Sequence, residues 1–380
     1  MKVEPSEIIY LTLAGSHAHG TAHDASDLDV RGVSVVPLPK RVSLRPIFEH
    51  AEGPLTESLL AIVEPPSRRS ELTDLAGKTK GEFAIDELAK FLTLCAAANP
   101  GALEVLFTAP QHWLVAAPAW HRLHAQRHRF LTRKVRETFL GYAMAQLHRI
   151  KSHRSWLLHP PRAKPTRADF GVPEHAALLD RDQRNRLEQS LAEKLRTYGV
   201  DELEMPRDTR IALRERLSRF TADVLACSVD EVEGAQREVA AHTLGLSQEL
   251  IAALNAEKRY QAAMRHWESY ESWRTHRNPK RAELERRFGY DTKHAMHLIR
   301  LMRMGLEALT QGTLTVARPD AAELHQIREG ALSYEALTAL ASELEAQIGA
   351  AADASPLPHA VDLDSLDALL LDVLDCAGQG

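Results

Sequence analysis

The sequence predicts a protein of the α+β class, in which a small module of strands and helices precedes a large, mostly α-helical region. Three observations carry that reading. Residues 8-IIYLTLAG-15 alternate, begin β-branched and run into Gly-Ser, the pattern of a strand entering a tight turn. Residues 27-DLDVRGVSVVP-37 read as a second strand that stops at Pro37. Beyond Pro110 almost every periodic segment keeps helical spacing.

Between the first two strands the chain needs a short helix or turn, and Gly20-Thr21 with the Asp24-to-Ser26 segment supplies the punctuation. Residues 38–80 hold Pro, Ser, Arg and Glu without a sustained period and are expected as loops with an irregular strand or two. A third strand is expected at 81-GEFAI-85. Asp86 then suits an N-cap for a helix over 87-ELAKFLTLCAAAN-99, whose Leu88, Phe91, Leu92 and Cys95 keep a helical period. Asn99-Pro100-Gly101 breaks that helix before 102-ALEVLF-107. A long amphipathic helix over 130–158 is stopped by Pro160-Pro161, and a Pro- and Arg-bearing loop follows. Further helices are expected near 183–197, 209–227, 247–273, 292–310, 320–329 and 333–348. Residues 353–358 read as a linker to a last acidic helix at about 364–376. The implied domains are 1–110, 111–350 and 351–380.

A chain of 380 residues favours two or three domains, and 44% hydrophobic with 26% charged residues fits a globular protein. No run of about 18 apolar residues occurs, so no membrane span is expected. The apolar part of the start is short and follows two glutamates, which argues against a signal peptide. Cys95, Cys227 and Cys376 lie far apart, which fits a reducing cytoplasm and argues against disulfides or a zinc ribbon. The net charge of −5 does not by itself suggest a nucleic-acid partner, but its distribution is uneven. Residues 121–154 carry nine Lys or Arg against Glu137, whereas residues 319–380 carry twelve acids against Arg328. Either the basic stretch meets an anionic partner, or the two faces are solvated or dock together.

Asp27 and Asp29 are one residue apart on an expected strand, so both carboxylates face one way while Leu28 and Val30 face the core. Paired carboxylates repel, and the usual remedies are a raised pKa or a bound divalent cation. Oxygen-only ligands favour Mg²⁺ or Mn²⁺ together with substrate phosphates. That is the equipment of phosphoryl or nucleotidyl transfer. Gly15-Ser16 leaves a strand at a turn where backbone N–H groups and a hydroxyl can hold a triphosphate.

Gly15-Ser16, ten residues, then Asp27-Leu28-Asp29 resembles the signature of the DNA polymerase beta nucleotidyltransferase superfamily. The longer text GSHAHGTAHDASDLDVRGV looks like one branch, predicted nucleotidyltransferases associated with RNA repair, and 87-ELAKFLTLCAAANPGALEVLF-107, 141-GYAMAQLHRIKSHRSWLL-158 and 289-GYDTKHAMHLIRLMRMGLEAL-309 continue the likeness. The resemblance implies a polymerase-beta-like core, a mixed sheet with flanking helices, at 1–110. It implies a helical domain at 111–350 that contacts nucleotide or RNA. A third carboxylate is expected from a later strand: Glu82 is preferred, although the family position more often carries Asp, and Asp86 competes. Two Mg²⁺ or Mn²⁺ ions would then be held by Asp27, Asp29 and Glu82. The substrate would be an NTP and the acceptor an RNA 3′ end in the cytoplasm. The rivals are nucleotidylylation of a protein or small molecule, and a non-catalytic nucleotide or RNA binder.

Other polar residues leave alternatives open. Arg31 shares the face of the aspartates and either touches a phosphate or balances the acids. His17, His19 and His23 match no standard zinc spacing and suit phosphate contacts or the surface. Lys151, His153 and Arg154, with Arg162, Lys164 and Arg167, either line an RNA or triphosphate groove or are solvated; Trp156 and Tyr142 either stack on bases or fill the core. Lys293, His297 and Arg300 make one polar face on an apolar helix. Their partners are expected to be a nucleotide, the catalytic carboxylates or the acidic C-terminal part. Lys151, Lys293 and His297 are therefore candidate nucleotide-binding residues.

Overall fold

The computed structural model describes residues 4–23, 26–37, 40, 44, 48–172, 248–277 and 279–378. Contacts divide the chain into two compact units, residues 1–158 with 278–380, and residues 159–277.

The first unit has the expected α+β architecture. Its mixed sheet is built from β1 (Ile8–Leu13), β2 (Leu28–Ser34), β3 (His50–Pro54), β4 (Gly81–Glu87) and β5 (Trp113–Ala116), in the order β3-β4-β2-β1-β5. β2 and β4 run parallel, and the other neighbours are antiparallel. The fifth strand comes from beyond residue 110, hidden in sequence by its four-residue length between prolines.

Strand alternation gives each face of the sheet its own core. Leu11, Leu13, Leu28, Val30 and Ile85 pack with Leu59 and Leu60 of α2 (Glu57–Leu60) and Leu72 of α3 (Pro66–Lys78). Tyr10 and Val33 join the larger core with α4 (Leu88–Ala96), α5 (Pro100–Phe107) and α6 (Pro118–Ala125), where Trp120 stacks on Tyr10 with ring centroids 3.5 Å apart. The helix α3 lies where loops were expected. It buries only Leu72, so its sequence carries no apolar stripe to announce it.

The helical part of this unit comprises α7 (Val135–Leu158), α9 (Pro279–Phe288), α10 (Thr292–Gln311), α11 (Ala321–Arg328), α12 (Tyr334–Ala354) and α13 (Leu363–Gly378). α10 packs against α7, α11 and α12 and buries Met296, Leu298, Leu301, Met302 and Met304, as its spacing predicts. α13 buries Leu366, Leu369 and Val373, and its Asp372 accepts from Arg122 at 2.6 Å. Arg133 donates to the carbonyls of Leu357 at 3.1 Å and Ser355 at 2.5 Å. Part of the basic stretch thus docks the acidic C-terminal segment. Lys134, Arg136, Arg149 and Lys151 remain exposed. Trp156 is core, whereas Tyr142 is half exposed.

The second unit contains α8 (Gln248–His276). Arg167 forks onto Glu257 of α8 at 2.7 and 3.2 Å and lies over the Tyr260 ring, while Arg162 and Lys164 are exposed. The helices expected at 183–197 and 209–227 lie outside the described residues. No helix among the described residues is long and apolar enough to cross a membrane.

Candidate active site

At the end of β1 the Ala14 amide donates to the Asp29 carbonyl at 2.9 Å, tying the turn to β2. Gly15 opens α1 (Gly15–His19) with φ +58°, the left-handed region that glycine occupies without steric cost. A Cβ on Gly15 would stand 2.3 Å from Asp29 Oδ2. Backbone and carboxylate therefore meet at a distance only glycine allows. Ser16, half-buried, follows in the first turn of α1. Gly15→Ala is expected to strain the backbone by ~1–2 kcal/mol. It should also displace the Asp29 carboxylate, lowering turnover on the order of 10²-fold; steady-state kinetics beside a thermal melt check both.

Asp27 lies exposed just ahead of β2, and Asp29 is half-buried on it, with Leu28 and Val30 buried on the opposite side as the spacing predicts. Burial raises the Asp29 carboxyl above its ordinary range. The Arg31 charge lowers it, the neighbouring Asp27 and Glu82 raise it, and Lys293 lowers it.

Glu82 stands directly opposite Asp29 in the parallel β2–β4 register, so both side chains share a face. Its exposed carboxylate is paired with Lys80 at 2.5 Å. Asp86 lies further along the same face, opposite Val33, and accepts from His50 Nδ1 at 2.7 Å. Asp86 is not the helix cap that its position in the sequence suggests. The ladder runs on to Ser34↔Glu87, and Glu87 caps α4 instead, accepting from the Ala89 and Lys90 amides at 2.7 and 3.4 Å.

A cavity of about 380 Å³ opens over this face, lined among others by Gly15, Asp29, Arg31, Asp86, His297 and Arg300. A second, of about 310 Å³, is lined by Asp29, Arg31, Glu52 and Glu82 with Gly53 and Phe83. Asp29 and Arg31 belong to both. From α10, half-buried Lys293 reaches the field of Asp27 and Asp29. Its ammonium is lowered by burial first and by Arg281 and Arg328, and raised by the two aspartates. His297 is held well below its ordinary range by burial and by the Arg300 and Lys293 charges. Lys151, by contrast, sits exposed on α7 and lines neither cavity.

In the wall of the first cavity lies a network that sequence reasoning missed. Arg300 Nη1 donates to Glu104 Oε1 at 2.5 Å and lies 2.9 Å from His19 Nε2, which is 3.0 Å from Glu104 Oε2. It joins α1, α5 and α10. The partner of Arg300 is thus neither a catalytic carboxylate nor the C-terminal segment. The signal available in the sequence was a glutamate inside the apolar run 102-ALEVLF-107, which demands a buried cation. His19 is buried in this network and His23 meets Arg328 at 2.9 Å, so the histidines after Gly15 do not form one cluster.

Residues 1–158 match the RlaP family, the RNA repair pathway DNA polymerase beta family. The likeness covers this stretch of the 380-residue chain. The RlaP match ends at Leu158, the last residue of α7 and of the first segment of the compact unit. Gly15, Ser16, Asp27, Asp29, Arg31 and Glu82 lie within the RlaP region, while Lys293 and His297 reach the site from beyond it. Neither a curated protein nor a solved structure matches the chain.

Proposed function

We propose that this chain is a metal-dependent nucleotidyltransferase that transfers NMP from an NTP to an RNA 3′-hydroxyl and releases pyrophosphate. The observation that carries the reading is the half-buried Asp29 carboxylate. It lies on a cavity wall, against a glycine turn that leaves no room for a Cβ, and within the field of Lys293. The donor set suits Mg²⁺ or Mn²⁺: Asp27, Asp29 and Glu82 offer oxygen only, and burial and mutual repulsion already weigh on Asp29. Asp27 and Asp29 would hold the ions, and Glu82 would join them on leaving Lys80. Bound there, such ions polarise the α-phosphate and lower the pKa of the acceptor hydroxyl. The chain's own groups do the rest. The Gly15-Ser16 turn holds the triphosphate through backbone N–H groups and the serine hydroxyl, and Arg31, Lys293 and His297 set its orientation. The acceptor hydroxyl gives up its proton to solvent, its oxygen bonds to the α-phosphorus, and the α–β bridging bond breaks to free pyrophosphate.

The polyanionic acceptor is supported by the four exposed cations on α7 and just ahead of it, and by half-exposed Tyr142 on the same helix. Purified protein with Mg²⁺ or Mn²⁺ and each α-labelled NTP is expected to label RNA ending in a 3′-hydroxyl and not RNA ending in a 3′-phosphate. Replacing Lys134, Arg149 and Lys151 together by Glu should flatten the dependence of log affinity on log salt by about 0.7 for each RNA phosphate that is no longer neutralised. Label on protein or on a small hydroxyl compound, with RNA affinity indifferent to salt, would move the acceptor to those classes.

A further inference from the structure

Away from the carboxylates, α7 meets the start of α10 at a cluster of different chemistry. His153, Asp291 and His294 each offer a ligand atom, and these atoms all lie within 4.8 Å of one another, the only such trio among the described residues. Asp291 caps α10: its Oδ1 accepts from the His294 amide at 3.0 Å. Its other oxygen, Oδ2, is buried and accepts no hydrogen bond, on a side chain only 1% exposed. An undonated buried carboxylate oxygen is costly, so something else must offset it.

The surroundings of Oδ2 say what. His294 Nε2 stands 3.5 Å away and His153 Nδ1 3.6 Å away. Both separations exceed a hydrogen bond, yet they lie close to the roughly 3.3–3.5 Å between two ligands of one tetrahedral zinc ion, given bonds of about 2.0–2.2 Å. His294 Nδ1–H donates to Gln146 Oε1 at 2.7 Å. In a neutral ring so bonded, Nε2 turns a lone pair, not a proton, toward the carboxylate. A hydrogen bond from the far ring nitrogen to a fixed acceptor is how metal-bound imidazoles are oriented. Arg281 Nε is also 3.6 Å from Oδ2, beyond hydrogen-bond reach, so its guanidinium offsets charge without giving the oxygen a donor. Both histidine side chains keep some exposure, 16% and 14%, which leaves an ion a path in and a solvent ligand.

We propose that His153, Asp291 and His294 bind one zinc-class divalent ion, which pins the first turn of α10 to α7. Two imidazole nitrogens and one carboxylate oxygen suit zinc and its neighbours better than magnesium. The ion's role is positional: residue 293, which faces the aspartates, sits in the turn that it clamps. The site shares no ligand with the proposed nucleotidyltransferase centre.

The test is metal analysis of the full-length protein after incubation with Zn²⁺ and gel filtration. About one zinc per chain is expected, retained in Asp27→Asn/Asp29→Asn and lost in His153→Gln and in His294→Gln. Zinc-edge X-ray absorption on the unaltered protein needs no substitution, and should show two imidazoles and no sulfur around the ion. Failure of the unaltered protein to retain zinc would overturn the proposal. So would sulfur or an oxygen-only shell around the metal, or zinc lost in the aspartate variant and kept in the histidine ones. Absence of transferase activity alone would bear on the other centre and leave this one standing.

Discussion

Asp29→Asn is expected to lower nucleotidyl transfer by roughly 10³-fold or more while making the folded chain more stable at neutral pH. The first half follows from the carboxylate's place. It is shared by both cavities, touches the Gly15 turn and is the aspartate most embedded in the field of Asp27, Glu82, Arg31 and Lys293. If Asp29 holds a metal ion as proposed, losing its charge removes several kcal/mol of transition-state stabilisation, which converts to that fall in rate. The second half is a matter of linkage. Burial raises the folded-state pKa of Asp29, so the group favours folding below the ordinary carboxylate range. That contribution is lost as pH rises through the raised value. At pH 7 the ionised carboxylate is a burden that asparagine does not carry. Thermal melts of the two proteins should therefore differ at pH 7 and converge as the pH drops below the ordinary carboxylate range. Undiminished activity in Asp29→Asn would remove the catalytic assignment.

Glu104→Ala is expected to cost about 3–5 kcal/mol of stability, because it strands the Arg300 guanidinium, 7% exposed, without its carboxylate. Urea denaturation would measure it. Burial by itself would raise the Glu104 carboxyl, but the charges and hydrogen bonds of Arg300 and His19 outweigh that and hold it well below the usual range. For a depressed acid the stabilisation is complete above the unfolded-state pKa and disappears as pH falls through the folded-state value. The unaltered protein should thus lose stability in acid to an extent that the alanine variant does not. Glu104→Ala/Arg300→Met, which removes both charges, should recover part of the loss; an additive double variant would show that the two do not act as a pair.

The parts of the site that were legible in the sequence are those whose signals are local. Gly15-Ser16 marks a turn whatever surrounds it, and alternation places Asp27 and Asp29 opposite Leu28 and Val30 wherever β2 goes. The face of α10 was legible for the same reason, since Lys293, His297 and Arg300 recur at helical spacing among buried methionines and leucines. What could not be read depends on pairing between distant segments. The cap of α4 falls on Glu87 and not Asp86 because β2 extends the ladder on β4 by two residues and β3 by one. Glu104, His19 and Arg300 each look misplaced alone, and only the packing of three elements makes them mutual partners. Lys151 stands out in the sequence for its charge among neighbours of like charge, but a helix has an outside, and residue 151 lies on it.

The compact unit that carries the candidate site is discontinuous, with residues 159–277 between its two segments. Synthesis runs from one end only. The carboxylates leave the ribosome early, together with α7 and its apolar residues Phe139, Ala143, Leu147 and Ile150, and must wait through the whole intervening stretch for α10 to arrive. Until then Glu104 has no guanidinium and Asp29 no lysine across from it. The centre is therefore completed only after residues 159–277 have been made, although its proposed metal-binding residues precede them.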